Sequence, residues 1–230
     1  MSRLVARFYE NIAGIDAAAW NALAGHTQPF VRHEFLLALE ESGCATSRTG
    51  WTARHLLVHA GDGRAVGAMP LYRKGHSRGE FVFDFAWANA YAQHGLDYYP
   101  KLVSAVPFTP VCGPRLMVAP DADAAAVSRS LIDSVSAHAR DQGLSSWHVL
   151  FPCEASLAPL RHAGLIERRD CQFHWFNRGY ESFDAFLATF TAEKRKKAKR
   201  ERRRVADAGI EFDTRLGGEM DDALWNTVYG

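Results

Sequence analysis

Between Lys194 and Arg204, nine of eleven residues are basic and one is acidic. No packed interior accepts such a run, so wherever it lies it faces water or an anion. Lys, Arg and Ala are good helix formers. Thr191 is placed to cap a helix start, Glu193 falls in the first turn where the helix dipole favours a carboxylate, and Gly209 is a stop. Only Ala198 and Val205 offer an apolar seam, so the expected helix packs lightly. The whole chain holds 27 basic and 26 acidic residues; without the run these become 18 and 25, a balance of −7. One concentrated positive rod on an otherwise acidic protein reads either as a solvated helix or as a polyanion site. The candidate polyanion-binding residues are Lys194, Arg195, Lys196, Lys197, Lys199, Arg200 and Arg203.

The flanks of the rod carry the next constraint. Phe173-His174-Trp175-Phe176-Asn177-Arg178-Gly179-Tyr180 reads as an aromatic strand. Phe183, Phe186, Leu187 and Phe190 follow at helical spacing. After Gly209, Ile210 to Leu216 reads as another strand, and Met220, Leu224, Trp225 and Val228 as an amphipathic helix. The sequence stops there, which is expected of an incomplete second lobe that exposes apolar surface or associates with another chain.

A chain of 230 residues suits one large domain or one and a half ordinary ones. No apolar run is long enough to span a membrane, and the N-terminus lacks a signal-peptide core. Cys44, Cys112, Cys153 and Cys171 are widely spaced without a CxxC, as free thiols of a reducing cytoplasm are. Ten histidines show no zinc spacing. His55 and His59 share a strand face without a Cys or carboxylate neighbour in sequence, so no metal and no resident cofactor is expected.

In order, the first part of the chain reads as follows. Leu4 to Phe8 is a strand; Asp16 caps a helix through Trp20 and Leu23; a helix runs from about His33 to Ser42. Trp51 to Ala60 and Ala65 to Tyr72 are strands joined by an Asp62-Gly63 hairpin turn. Lys74 to Gly79 is a loop, Phe81 to Phe85 extended, and Val111 to Val118 a strand. A long helix opens at Asp121 and reaches Gln142, Ser146 to Phe151 is a buried strand, and a helix covers Glu154 to Ala163. A hairpin followed by alternating helices and strands makes a mixed α/β domain.

Several stretches together resemble one family: Pro29-Phe30 with His33-Glu34-Phe35-Leu36; Gly67-Ala-Met-Pro-Leu-Tyr72; and Phe83-Asp-Phe-Ala-Trp-Ala-Asn-Ala-Tyr91. So do His94-Gly-Leu-Asp-Tyr-Tyr-Pro-Lys-Leu102, Pro107-Phe-Thr-Pro-Val-Cys-Gly-Pro-Arg-Leu116, Ser146-Trp-His-Val-Leu-Phe151, and Gln172 to Tyr180 with the basic run. In these the chain resembles the FemAB-like proteins of the GNAT superfamily, labelled peptidoglycan biosynthesis/recognition. The resemblance implies tandem GNAT-like lobes: a first lobe over residues 1–180, then over 181–230 a basic connector helix and the beginning of a second lobe. It implies a transferase of acyl or aminoacyl groups, with acyl-CoA or aminoacyl-tRNA as donor and a peptidoglycan precursor or other amine as acceptor. The strand ending at Tyr72 is not followed by the Gln/Arg-x-x-Gly-x-Gly/Ala loop with which acyl-CoA enzymes of the superfamily hold pyrophosphate.

Acyl transfer to an amine needs a base and donors for an oxyanion. Asp84, Tyr91, His94 and Lys101 fall within one short span and are the candidate catalytic residues. Tyr98, Arg115, His174, Trp175 and Asn177 are the candidate substrate-binding residues, with Arg115 suited to a phosphate or carboxylate. The alternative function is a non-catalytic module that recognises nucleic acid, such as tRNA, or a cell-wall precursor through the basic helix.

Overall fold

A computed structural model describes residues 3–82 and 84–229. The chain divides after Arg168 into two compact units. The first unit contains, in order, β1 (Val5–Tyr9), α1 (Ala17–Ala24), α2 (His33–Glu41), β2 (Trp51–Ala53), β3 (His55–His59), β4 (Ala65–Met69) and β5 (Tyr72–Lys74). It continues with α3 (Phe85–Gln93), β6 (Lys101–Ser104), β7 (Met117–Val118), α4 (Ala124–Asp141), β8 (Trp147–Val149) and α5 (Glu154–His162). The second holds α6 (Phe183–Ala188), α7 (Ala192–Asp207) and α8 (Asp222–Tyr229).

The hairpin is the spine of the first unit. Its turn is where the sequence puts it: Gly63 adopts φ 87°, and Ala60 N–H donates to the Arg64 carbonyl at 2.9 Å. Each arm breaks once, at Arg54 and at Pro70-Leu71. Proline cannot donate to a ladder, and Arg54 N–H spans the break by donating to Leu71 O at 2.8 Å. The breaks divide the strands between two four-stranded sheets, ordered β1-β3-β4-β7 and β2-β5-β6-β8. All pairs are antiparallel except β6 with β8.

The first sheet is covered on both faces, which is why β3 reads as a nearly continuous apolar run. Leu56 and Val58 join the buried cluster of Val127, Leu131, Ile132 and Val135 from α4. The alternate residue Leu57 joins Trp20 and Leu36 from the opposite layer. The helix sits very close at Gly67, where a Cβ would lie 2.5 Å from Val127 Cγ1. The second sheet instead buries Trp51, Tyr72, Lys74 and Lys101, a polar and aromatic set.

In the second unit Phe186 centres an aromatic cluster with Trp175, Tyr180, Phe183 and Phe190. The basic run forms α7 as its caps require: Thr191 Oγ1 accepts from Lys194 N–H, and Gly209 follows at φ 69°. Among the described residues no helix is long and apolar enough to cross a membrane, no group of His, Cys, Asp and Glu is placed to hold a metal, and the four cysteines are free.

Four extended readings need correction. Phe173 to Tyr180 is not a strand: Asn177 Oδ1 accepts from Gly179 N–H at 3.0 Å, closing a turn instead of a ladder. Ile210 to Leu216 pairs with no strand either, and Asp213 there holds Arg215 two residues on. Alternation supplies the faces of a strand but not the partner that its backbone groups need. Phe85 opens α3 rather than closing a strand, with Asp84 at the cap position, while Phe83 lies outside the described residues. Of Val111 to Val118 only Met117 and Val118 pair as a strand, with one isolated bridge at Gly113. The carbonyls of Val111 and Pro114 are taken by the Arg115 side chain.

Candidate functional site

Across the second sheet, pairing sets Trp51 opposite Lys74 and Lys74 opposite Lys101. All three are fully buried. Two ammonium groups on neighbouring strands repel, so the row needs anions. The segment from Ser77 to Asp84 supplies them. Lys101 Nζ donates to Asp84 Oδ2 at 2.5 Å, Glu80 Oε2 at 2.9 Å and Ser77 Oγ at 3.0 Å. Tyr98 Oη donates to the same Asp84 oxygen at 2.6 Å. Among the described residues Lys74 Nζ reaches only the Arg78 carbonyl, at 3.1 Å, and it lies 3.6 Å from the centre of the Trp51 ring. His148, on β8, has Nε2 2.9 Å from Ser146 Oγ and 3.4 Å from Tyr98 Oη.

Environment separates the two carboxylates. Burial alone would raise Asp84, but the hydrogen bonds from Lys101 and Tyr98 outweigh it and hold its pKa at about 2. Burial dominates at Glu80 and raises its pKa in spite of Lys101. Burial, with the nearby Lys101 charge, lowers His148 to about 4, so its ring is neutral at pH 7. Burial lowers Lys74 to about 8. Pairs of groups driven apart in this way are what acid–base chemistry uses.

Two outcomes follow from these shifts. Asp84 is depressed in the fold, so its stabilisation is present above its unfolded pKa of 3.8 and is lost as pH falls through about 2. Over that window the protein is expected to lose about 2 kcal/mol, by urea unfolding at stepped pH, and Asp84→Asn is expected to flatten the loss. Lys74 behaves oppositely. Its charged form is disfavoured in the fold, so stability is expected to climb between pH 8 and the unfolded value of 10.5. Lys74→Met removes that cost and is expected to raise stability by about 1–3 kcal/mol at pH 7, the gain fading toward pH 10.

Among the residues expected from the sequence, the fold brings Asp84, Tyr98 and Lys101 into direct contact. Tyr91 borders them, its ring 5.2 Å from that of Tyr98 and nearly perpendicular. His94 stands apart: it is exposed, and its Nδ1 is 2.8 Å from the Ala90 carbonyl of its own helix. Arg115 is buried and spends its guanidinium on the carbonyls of Leu150, Pro114 and Val111. His174, Trp175 and Asn177 lie in the second unit on exposed irregular backbone. The sequence reading missed Lys74, Ser77, Glu80 and His148. Lys74 was legible, because strand alternation places it on the face of Tyr72.

On α7, several cations are already engaged. Arg195 donates to the Phe190 carbonyl, Lys199 pairs with Asp184 at 2.8 Å, and Arg202 stacks on Phe183. Lys197 faces Glu201 at 3.8 Å. Lys196, Arg200 and Arg203 line a groove of about 490 Å³ with Ala192, Arg195 and Lys199.

The family model described as FemAB-like, peptidoglycan biosynthesis/recognition, matches residues 11–230. The chain belongs to the FemAB-like family. No curated protein matches the sequence. Solved structures similar to this FemAB-like chain include the aminoglycoside N-acetyltransferase AAC(6′)-Iy in complex with CoA, at 17% identity and a TM-score of 0.46, covering 77% of this chain and 97% of that one. The aminoglycoside 6′-N-acetyltransferase AAC(6′)-Ih from Acinetobacter baumannii matches at 13% identity and 0.44, over 77% of this chain and 100% of the other. An acetyltransferase from Trypanosoma brucei matches at 18% and 0.43, over 75% and 100%. Likeness at this level says nothing of substrate.

A pyrophosphate cradle does not fit the helix that follows β7 in this FemAB-like chain. The N-terminus of α4 is capped by the Asp123 carboxylate, which accepts from Ala126 N–H at 3.0 Å. Asp121, two residues earlier, holds Arg64 at 2.9 Å. A phosphate arriving there meets two carboxylates.

Proposed function

We propose that the protein transfers an acyl or aminoacyl group to an amine, with the buried Lys101–Glu80–Asp84 cluster as the reacting centre. The observation that carries this reading is a fully buried ammonium between two carboxylates of opposite pKa shift, in a chain of the FemAB-like family. The acceptor amine attacks the donor carbonyl, a C–N bond forms and the ester C–O bond breaks. Glu80, the carboxylate that burial makes more basic, takes the amine proton and returns it to the leaving oxygen. Lys101 positions Glu80, and Asp84 stays ionised to hold Lys101. As a separate part of the proposal, the cations of α7 bind the phosphates of RNA, such as a tRNA, and a donor on CoA is disfavoured by the carboxylates at α4. The first GNAT-like lobe reaches to about residue 180 and a second begins beyond it, available for self-association, and the free thiols suit a cytoplasmic protein.

The test is amide formation from aminoacyl-tRNA and an amine acceptor. Glu80→Gln is expected to lower kcat by about 10²–10⁴-fold without weakening donor binding. The second reading, a binding module, is favoured by the α7 stripe itself. It gains if the wild-type protein binds RNA but forms no amide.

A further inference from the structure

Ile210 to Leu216 alternates apolar and polar side chains, yet among the described residues it pairs with no strand. Its apolar members stand in water: Phe212 is 84% exposed and Leu216 71%. In an extended chain Phe212, Thr214 and Leu216 share one side, and Asp213 and Arg215 the other. Arg215 Nε donates to Asp213 Oδ2 at 2.7 Å, so these two do share a side. The main-chain N–H and C=O groups of Asp213 and Arg215 make no hydrogen bond within the chain among the described residues. The segment is exposed, so water serves them, and a second strand can replace that water. Strand addition takes up segments of this kind: main-chain bonds hold them and the side chains select the partner.

The order of the residues says which strand fits. We propose that the segment pairs antiparallel with its own copy, about a two-fold axis at Thr214. That register sets Phe212 opposite Leu216 of the second copy, Asp213 opposite Arg215, and Thr214 opposite Thr214. Apolar then meets apolar on one side and cation meets carboxylate on the other. A slip of one residue sets Phe212 against Arg215, and an axis at Asp213 sets that carboxylate against itself. Parallel pairing in register opposes like charges at every position. The hydrogen-bonded pairs are those of Asp213 with Arg215, whose main-chain groups are free to make them. Leu216 keeps its own bonds, with its N–H donating to Glu219 Oε2 at 2.8 Å and its carbonyl accepting from Glu219 N–H at 2.9 Å. A two-stranded ribbon is marginal by itself. Trp225 and Val228, exposed three residues apart on α8 of the same unit, add apolar area to the contact. The dimer is therefore weak and depends on concentration. It rests on the self-association part of the proposed function and needs nothing of the transfer chemistry.

Sedimentation equilibrium of the full chain, freed of nucleic acid and run over about a hundredfold range of concentration, tests this. A reversible monomer–dimer equilibrium is expected. Asp213→Arg puts cations at both paired positions, and Arg215→Asp puts carboxylates there. Each variant alone is expected to dimerise about tenfold or more weakly, with far-UV spectrum and melting unchanged. Mixed in equal amounts, the two are expected to recover wild-type association as a heterodimer, because cation again meets carboxylate at both positions. The pair within each chain stays broken in the mixture, so the recovery reads the contact between copies alone. A chain that stays monomeric throughout overturns the proposal, as do single variants that dimerise like wild type or a mixture that recovers nothing. Amide formation by a monomer overturns this inference and leaves the transferase reading standing. A dimer with this charge dependence that forms no amide supports the inference and removes that reading.

Discussion

Replacing Lys101 with methionine is expected to destabilise the protein by about 3–5 kcal/mol. The side chain is fully buried and is held by Asp84, Glu80 and Ser77. Removing it takes from two buried carboxylates the one ammonium that is hydrogen-bonded to both, and the loss is mostly their under-compensated charge. The triple variant Lys101→Met, Glu80→Gln, Asp84→Asn removes all three charges together and is expected to regain most of that loss. Urea midpoints of wild type, single and triple variants at pH 7, with unchanged slopes, provide the comparison. A single variant within about 1 kcal/mol of wild type would mean that water reaches the carboxylates, and the low-dielectric argument for the site would fail.

Converting Lys196, Arg200 and Arg203 together to glutamine is expected to weaken RNA binding by about a hundredfold or more at 0.1 M salt, and to lower the slope of log affinity against log salt by roughly two to three. These three line the groove on α7 and have no ion-pair or hydrogen-bond partner among the described residues, whereas Arg195, Lys199 and Arg202 anchor the helix. The triple change therefore removes phosphate contacts and spares the packing. Glutamine is also a good helix former. Filter binding of tRNA at two salt concentrations reads both quantities. An unchanged slope would leave α7 as a solvated helix.

Most helices of this chain were legible because their signals are local; the start of α3 at Phe85 was not, and α4 is capped by Asp123 rather than opened at Asp121. Asp16, Asp123, Ser182 and Thr191 each cap the helix that follows, by accepting from a main-chain N–H three residues on. The hairpin was legible for the same reason, since Asp62-Gly63 encodes its own turn. Strands that depend on a distant partner were not. Phe173 to Tyr180 alternates correctly, yet Asn177 satisfies the backbone by itself. The site was half legible: Asp84, Tyr98 and Lys101 are close in sequence and meet in space. Glu80 gives no periodic signal, and His148 enters only because β8 pairs with β6, placing His148 beside Val103. His94 is as near in sequence, yet it stands at the end of α3 and is exposed.

Arg115 carries a consequence for how the molecule breathes. Its one guanidinium occupies the carbonyls of Val111, Pro114 and Leu150, while its own N–H and that of Leu116 both rest on Ser156 Oγ. Gly113 is held separately, by Phe151 and Cys153, and the Cys112 carbonyl by Gln28. The rest of the stretch from Val111 to Leu116 depends on two side chains. The amides of Arg115 and Leu116, which share one acceptor, are expected to exchange with solvent together. A lysine in that place holds a point charge but not the planar fork, and its hold would come undone at every carbonyl at once.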